Sequence, residues 1–185
     1  MKKLLVVVDM INGFINEGNL HDKGIGRIVP FCGAYIDHFI DEKQDVVAFC
    51  DSHQEDSVEF ASYPSHCIEG STECDLVPEL AVFSDDIDVV TKNSTNGFFA
   101  PGFQKYIEKL DEYYEIVIVG CCTDICVLQF ALSLKAYCNE KGYNIKIIVD
   151  ELACETFDIE GHSRDEYNQM AYSLMRNSGI EVIVS

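Results

Sequence analysis

The sequence predicts an α/β fold, a single domain over residues 1–185 with a mainly parallel six-stranded sheet between two layers of helices. Three observations carry this. Val- and Ile-rich runs of strand length recur along the chain. Segments of helical length and apolar spacing separate them. The runs are continuously apolar instead of alternating, as befits strands covered on both faces. In order, the strands are expected at residues 4–9, 45–51, 87–92, 115–120, 144–150 and 181–184. The helices are expected at 31–42, 103–113, 124–141 and 164–178, and Gly142, Gly161 and Gly179 stand where helices should stop or turn. The stretch 52–71 is long for a loop in a compact domain and carries aromatic and ionisable residues, which suggests function.

Composition narrows the classes. A chain of 185 residues with 48% hydrophobic content can bury one sizeable core. A formal net charge of −19 argues against nucleic acid or an anionic membrane as partner and favours a neutral or cationic small molecule. The apolar run after Lys3 is too short for an export signal and stops at Asp9, and no run has transmembrane length, so a cytoplasmic protein is expected. Nine cysteines at irregular spacings, with no CxxC pair, read as reduced thiols and not as a disulfide framework.

Ligands of open parallel sheets bind beyond the carboxyl ends of the strands. Four consecutive predicted strand exits carry reactive residues: Asp9, Asp51 with His53, Lys92, and the turn leading to Cys126. A cysteine in the first turn of a helix is often a small buried apolar residue. It also faces the positive dipole end, which eases its ionisation. Cys121, Cys122 and Cys126 compete for the nucleophile's role. Cys126 is preferred because Thr123 can cap the helix and leave Cys126 at its mouth. Lys92 would stabilise a thiolate, and Asp9, ending a buried strand, needs a partner and can carry a proton. Asp51 and His53 point the same way on an extended segment. With His66 they form an N/N/O set suited to Zn²⁺, or to Fe²⁺ or Mn²⁺, and Glu59 is a further oxygen donor. His21, His38 and His162 have no comparable partners and read as surface residues.

These residues resemble the isochorismatase-like cysteine hydrolases, and within them the nicotinamidase branch, over nearly the whole chain. Val7-Val8-Asp9-Met10 is similar to the first-strand motif, Asp51-Ser52-His53 to the metal motif, and Tyr63-Pro64-Ser65-His66-Cys67 with Gly70 to the loop completing the metal site. Lys92-Asn93-Ser94-Thr95-Asn96-Gly97-Phe98 resembles the lysine motif. Gly120-Cys121-Cys122-Thr123-Asp124-Ile125-Cys126-Val127 resembles the nucleophile motif and is the most specific of these.

The resemblance implies the isochorismatase-like hydrolase fold and a catalytic triad of Asp9, Lys92 and Cys126. It implies one divalent metal ion, zinc first, on Asp51, His53, His66 and, in some members, Glu59. A cis peptide between Cys121 and Cys122 would aim the Cys122 N–H, beside that of Cys126, at an oxyanion. Phe14 and Tyr63 would hold the substrate ring. The implied reaction is hydrolysis of a small carboxamide, nicotinamide to nicotinate and ammonia, through a thioester, as in NAD salvage. A homo-oligomer is a family habit. The alternatives are a related C–N hydrolase with another small amide, or a non-catalytic or redox-sensing member. Two positions depart from the pattern: Ile11 replaces a glutamine and Tyr63 a tryptophan. Both bear on the substrate and not on the chemistry.

Overall fold

The computed structural model describes residues 2–185. Among them, strands β1 (Lys2–Val8), β2 (Asp45–Asp51), β3 (Asp88–Lys92), β4 (Tyr113–Cys121), β5 (Lys146–Glu155) and β6 (Glu181–Ile183) form one sheet. Its order is β3-β2-β1-β4-β5-β6, and every neighbouring pair is parallel. The longer helices are α1 (Val29–Asp41), α2 (Leu128–Lys141) and α3 (Arg164–Asn177).

Strand pleating divides the apolar runs between two cores. Leu4, Val6 and Val8 pack on one face with Phe130 and Leu134 of α2 and with Tyr172 and Met175 of α3. Leu5 and Val7 turn to the other face, against Cys32, Ile36 and Phe39 of α1. Pro30 sits in the first turn of α1, where its missing N–H leaves no bond unmade. Gly142 ends α2 in the left-handed conformation, at φ 71°. No helix among the described residues is long and apolar enough to cross a membrane.

Successive strands run outward from β1 to β3, then return to the other side of β1 for β4 to β6. The crevice where this order reverses lies at the carboxyl ends of β1 and β4. Two backbone features shape it. Gly120 has φ +117°, and a Cβ there would strike the Val8 carbonyl, so only glycine lets β4 lie this close to the end of β1. Asp9 itself sits at φ +51°, a conformation rare outside glycine and common at functional sites.

Three expectations need correction. The predicted helix at 103–113 is a single turn, Gln104–Ile107, between the 3₁₀ turns Pro101–Phe103 and Leu110–Glu112. Phe103, Tyr106 and Leu110 are buried at helical spacing, but the Tyr106 and Tyr113 hydroxyls bond Asp88 and Asp45, and Tyr113 already belongs to β4. The predicted helix at 124–141 begins instead with a π turn, Thr123–Val127, before α2. Thr123 does not cap it: Cys122 occupies that position without a side-chain bond, and the Thr123 hydroxyl is buried and unpartnered. Finally, β5 runs on to Glu155, with a register break between its pairings at Val149 and Cys154. That extension carries the chain back over the crevice.

Candidate active site

The ends of β1, β2 and β3 and the turn after β4 bring Asp9, Asp51, Lys92 and Cys126 into one buried cluster. Lys92 is 2% exposed and Asp9 fully buried. The Lys92 ammonium lies 2.8 Å from Asp51 Oδ1, 2.9 Å from Asp9 Oδ2, 3.0 Å from the Ser94 carbonyl and 4.0 Å from Cys126 Sγ. Toward Asp9 it lacks hydrogen-bond alignment, so both Asp9 oxygens are buried without a hydrogen bond. Burial raises the Asp9 carboxyl to about 7 against the pull of Lys92. Burial would lower Lys92, but the charges of Asp9, Cys126 and Asp51 outweigh it and hold the ammonium firmly protonated. For Asp51 burial works upward, and Lys92 with the His53 and His66 bonds brings the net shift down.

Burial pushes the Cys126 thiol up, and Lys92 offsets this only in part. The expectation of an easily ionised cysteine therefore does not hold in this resting geometry. Desolvation exceeds the help from the turn's dipole. Such a thiol needs a base at hand, and Asp9, poised near neutrality, is the group beside it.

The second cluster lies next to the first. Asp51, His53, Glu59 and His66 each offer one donor atom, all within 4.8 Å of one another. His53 Nε2 and His66 Nε2 stand 3.0 and 3.3 Å from Asp51 Oδ2, and 3.7 and 4.0 Å from Glu59 Oε1. The orientation of each donor is set from behind. His66 Nδ1 faces the Pro64 carbonyl at 2.8 Å and His53 Nδ1 faces Asn93 Oδ1 at 2.7 Å. Those oxygens accept, so each ring can donate from Nδ1 and presents Nε2 to the cluster. Glu59 Oε2 accepts from the Thr95 N–H at 3.1 Å, leaving Oε1 pointing at the cluster. His53 Nε2 and Glu59 Oε1 are buried without a hydrogen bond. Two carboxylates and two imidazoles converging on one point, with orphaned donors, fit a divalent cation.

A cavity of about 180 Å³ opens onto both clusters. Phe14 and Tyr63, the predicted substrate contacts, line it together with Asp51, Glu59, His66, Cys122 and Cys126. Ile11 does not: it is buried in the core and paired with Leu76, so its departure from the family pattern leaves the wall untouched. Sequence reasoning missed Asn19, Leu20, His21, Asp22, Thr95, Ile125, Phe157 and Ile159, which complete the lining. The lining contains the carboxylates Asp22, Asp51 and Glu59 and, among the described residues, neither lysine nor arginine. Asn93 and Thr95 were in view within the lysine motif, yet their work of orienting His53 and Glu59 shows only in three dimensions. His162 is the clearest correction. It is stacked between Phe157 and Tyr167, with ring centroids 3.8 and 3.7 Å away, and its Nε2 lies 2.9 Å from Asp124 Oδ2. The Cys121–Cys122 peptide is cis, and all nine cysteines are free thiols.

Comparison with known proteins agrees with this picture. A family model of the isochorismatase domain matches residues 3–185. Nicotinamidase 1 of Arabidopsis thaliana is 35% identical over 174 residues, covering 85% of this chain and 71% of the relative. Among solved structures, a nicotinamidase from Bacillus subtilis superposes with a TM-score of 0.79 at 25% identity, over 98% of this chain and 99% of that one. The N-carbamoylsarcosine amidase of Thermoplasma acidophilum also gives 0.79, at 27% identity, over 100% of this chain and 96% of its own.

Proposed function

Because the chain belongs to the isochorismatase family, in its nicotinamidase branch, we propose that it is a cysteine amidohydrolase acting on a small uncharged carboxamide, nicotinamide first. The observation that carries the reading is the buried meeting of Asp9, Lys92 and Cys126 at the switch point of the sheet, open to a small cavity. Asp9 takes the Cys126 proton as Sγ attacks the amide carbon. The N–H groups of Cys122 and Cys126 receive the developing oxyanion. Asp9 then returns the proton to the departing nitrogen, ammonia leaves, and a thioester remains on Cys126. With Asp9 again as base, water adds to the thioester, the C–S bond breaks, and the carboxylic acid and free thiol result. A carboxyl near 7 suits both directions of transfer. Lys92 stays protonated throughout and keeps two carboxylates and a thiolate compatible within one dry site.

Asp51, His53, His66 and Glu59 would hold one divalent ion, zinc by their donor set, which would anchor a ring nitrogen or polarise water when bound. The cavity is smaller than the usual range for drug-sized ligands, about 300–1,000 Å³, and suits a single ring. Phe14 and Tyr63 supply its apolar faces. The acidic, lysine- and arginine-free lining favours a neutral amide over a substrate bearing a carboxylate, such as N-carbamoylsarcosine. The test is ammonia release from nicotinamide, pyrazinamide and N-carbamoylsarcosine, with and without chelator. Chelator-sensitive release from the first two, abolished in Cys126→Ala, is expected. Release at the native rate from Cys126→Ala, or a preference for the carboxylated substrate, would overturn the reading.

A further inference from the structure

The π turn bearing Cys126 lacks a side-chain cap, and a π turn is an uncommon conformation found frequently at functional sites. What fixes it from outside is Asp124. Both of its oxygens are engaged: Oδ1 accepts from the Thr156 hydroxyl at 2.5 Å, and Oδ2 meets His162 Nε2 at 2.9 Å. The Asp124 side chain is 9% exposed, so these bonds are shielded from water. His162 is held in turn by its stack between Phe157 and Tyr167 and by the Phe157 carbonyl, 3.1 Å from its Nδ1. Phe157 and Ile125 both line the cavity. Three consecutive residues thus divide the labour: Asp124 faces the clamp, Ile125 the cavity, and Cys126 the buried ion cluster.

We propose that Asp124 is a positioning residue for Cys126, clamped by Thr156 and His162, and that this clamp locks the nucleophile's turn to the cavity wall at Phe157. The inference rests on Cys126 being the nucleophile. A shift of about 1 Å in a reacting group can cost on the order of 10²-fold in rate. The clamp therefore acts on the chemical step and not chiefly on binding.

Two variants remove one Asp124 partner each while sparing the wall. Thr156→Val deletes the hydroxyl at constant shape. His162→Phe keeps a ring in the stack and loses the bond to Asp124. Each should lower kcat for ammonia release at least tenfold with KM changed less than threefold, and Thr156→Ser, which keeps the hydroxyl, should restore kcat. Alkylation of Cys126 by iodoacetamide, followed by peptide mass mapping, should slow at least fivefold in the same two variants. This second arm needs no substrate, so it decides the positioning role even if no amide is hydrolysed, which would count against the amidase reading alone. A rise in KM at constant kcat, or Cys126 alkylation unchanged or faster in both variants, would overturn the proposal. Should His162→Phe fail to fold, as judged by its melting curve, Thr156→Val decides the matter.

Discussion

The floor and the roof of the cavity are built differently. The floor is Asp51 and Cys126 with Asp9 and Lys92 buried against them, each delivered by the end of a sheet strand or the turn just after one, and each at most 5% exposed. The roof consists of two connecting segments, residues 18–22 and 156–162, with Ile159 at 62% exposed. It is held by Asp22, whose Oδ2 accepts from Arg164 at 2.6 Å and from the Asp158 N–H at 2.9 Å. Reactive charges need the rigidity of paired strands and the dryness of the core, since a loosely held ammonium would not keep two carboxylates in register. A surface that admits substrate needs contacts that open cheaply. The difference predicts that floor variants lose the reaction or the fold, whereas roof variants away from the Asp124 clamp, such as those at Asp22, change only how well substrate is held.

The largest break is Lys92→Met. It leaves Asp9 and Asp51 facing each other without a cation in a buried site, a loss of about 3–5 kcal/mol. For a chain of this size that lowers the melting temperature by roughly 10 °C. Activity should fall at least about 10³-fold. A folded Lys92→Met protein of native melting temperature would show that the ammonium does not hold the floor together. Next comes Asn93→Ala, which frees His53 Nδ1 without touching a donor atom. Loss of such an orienting partner typically weakens metal binding about 10–100-fold, readable by competition with a chromophoric chelator. Unchanged affinity would remove Asn93 from the site.

The pH profile separates the two regions without any mutation. In the proposed mechanism Asp9 must be ionised to take the thiol proton, and burial raises its carboxyl to about 7. So kcat/KM should fall about tenfold per pH unit below 7. Asp22 behaves oppositely. Burial works upward, but bonds from the Gly24 and Asp158 N–H groups and the Arg164 charge bring it below the usual carboxylate range. The stability it lends the roof is therefore present above the ordinary carboxylate pKa and is lost only as pH falls through the lowered value. An acid limb near 7 belongs to the floor. A flat profile from 8 to 5 would deny Asp9 the role of base.

The same division explains what could be read from the chain. Asp9, Asp51 and Lys92 end continuous Val- and Ile-rich runs, and strand periodicity with the carboxyl-end rule places them at one edge. Cys126 was legible because Gly120 breaks the fourth run just before it. The roof left no such trace. His162 lies five residues from both Phe157 and Tyr167, a spacing of neither helix nor strand, and its stack exists only because the chain folds back between them. The partners Asp22 and Arg164 are 142 residues apart, and nothing local in either marks the pairing. The segment 103–113 failed for a related reason: its apolar spacing was helical, but distant acids fixed its ends.

Asp22→Asn gives the smallest expected effect and the sharpest test of the comparison. Asparagine keeps the shape and one acceptor oxygen, so the turn at Gly24, bonded at 2.7 Å, can persist. What goes is the charge opposite Arg164 and the acceptor of the Asp158 N–H. The pair is partly exposed, at 16% and 23%, and such pairs contribute at most about 1 kcal/mol. Spent on holding the roof over bound substrate, the pair and the lost Asp158 bond together correspond to a KM raised about threefold to tenfold. Because Asp22 touches none of the floor residues, kcat should stay within about twofold and the acid limb should not move from near 7. A drop in kcat as large as the rise in KM would mean that the roof shapes the transition state beyond the Asp124 clamp, and the two regions would then act as one.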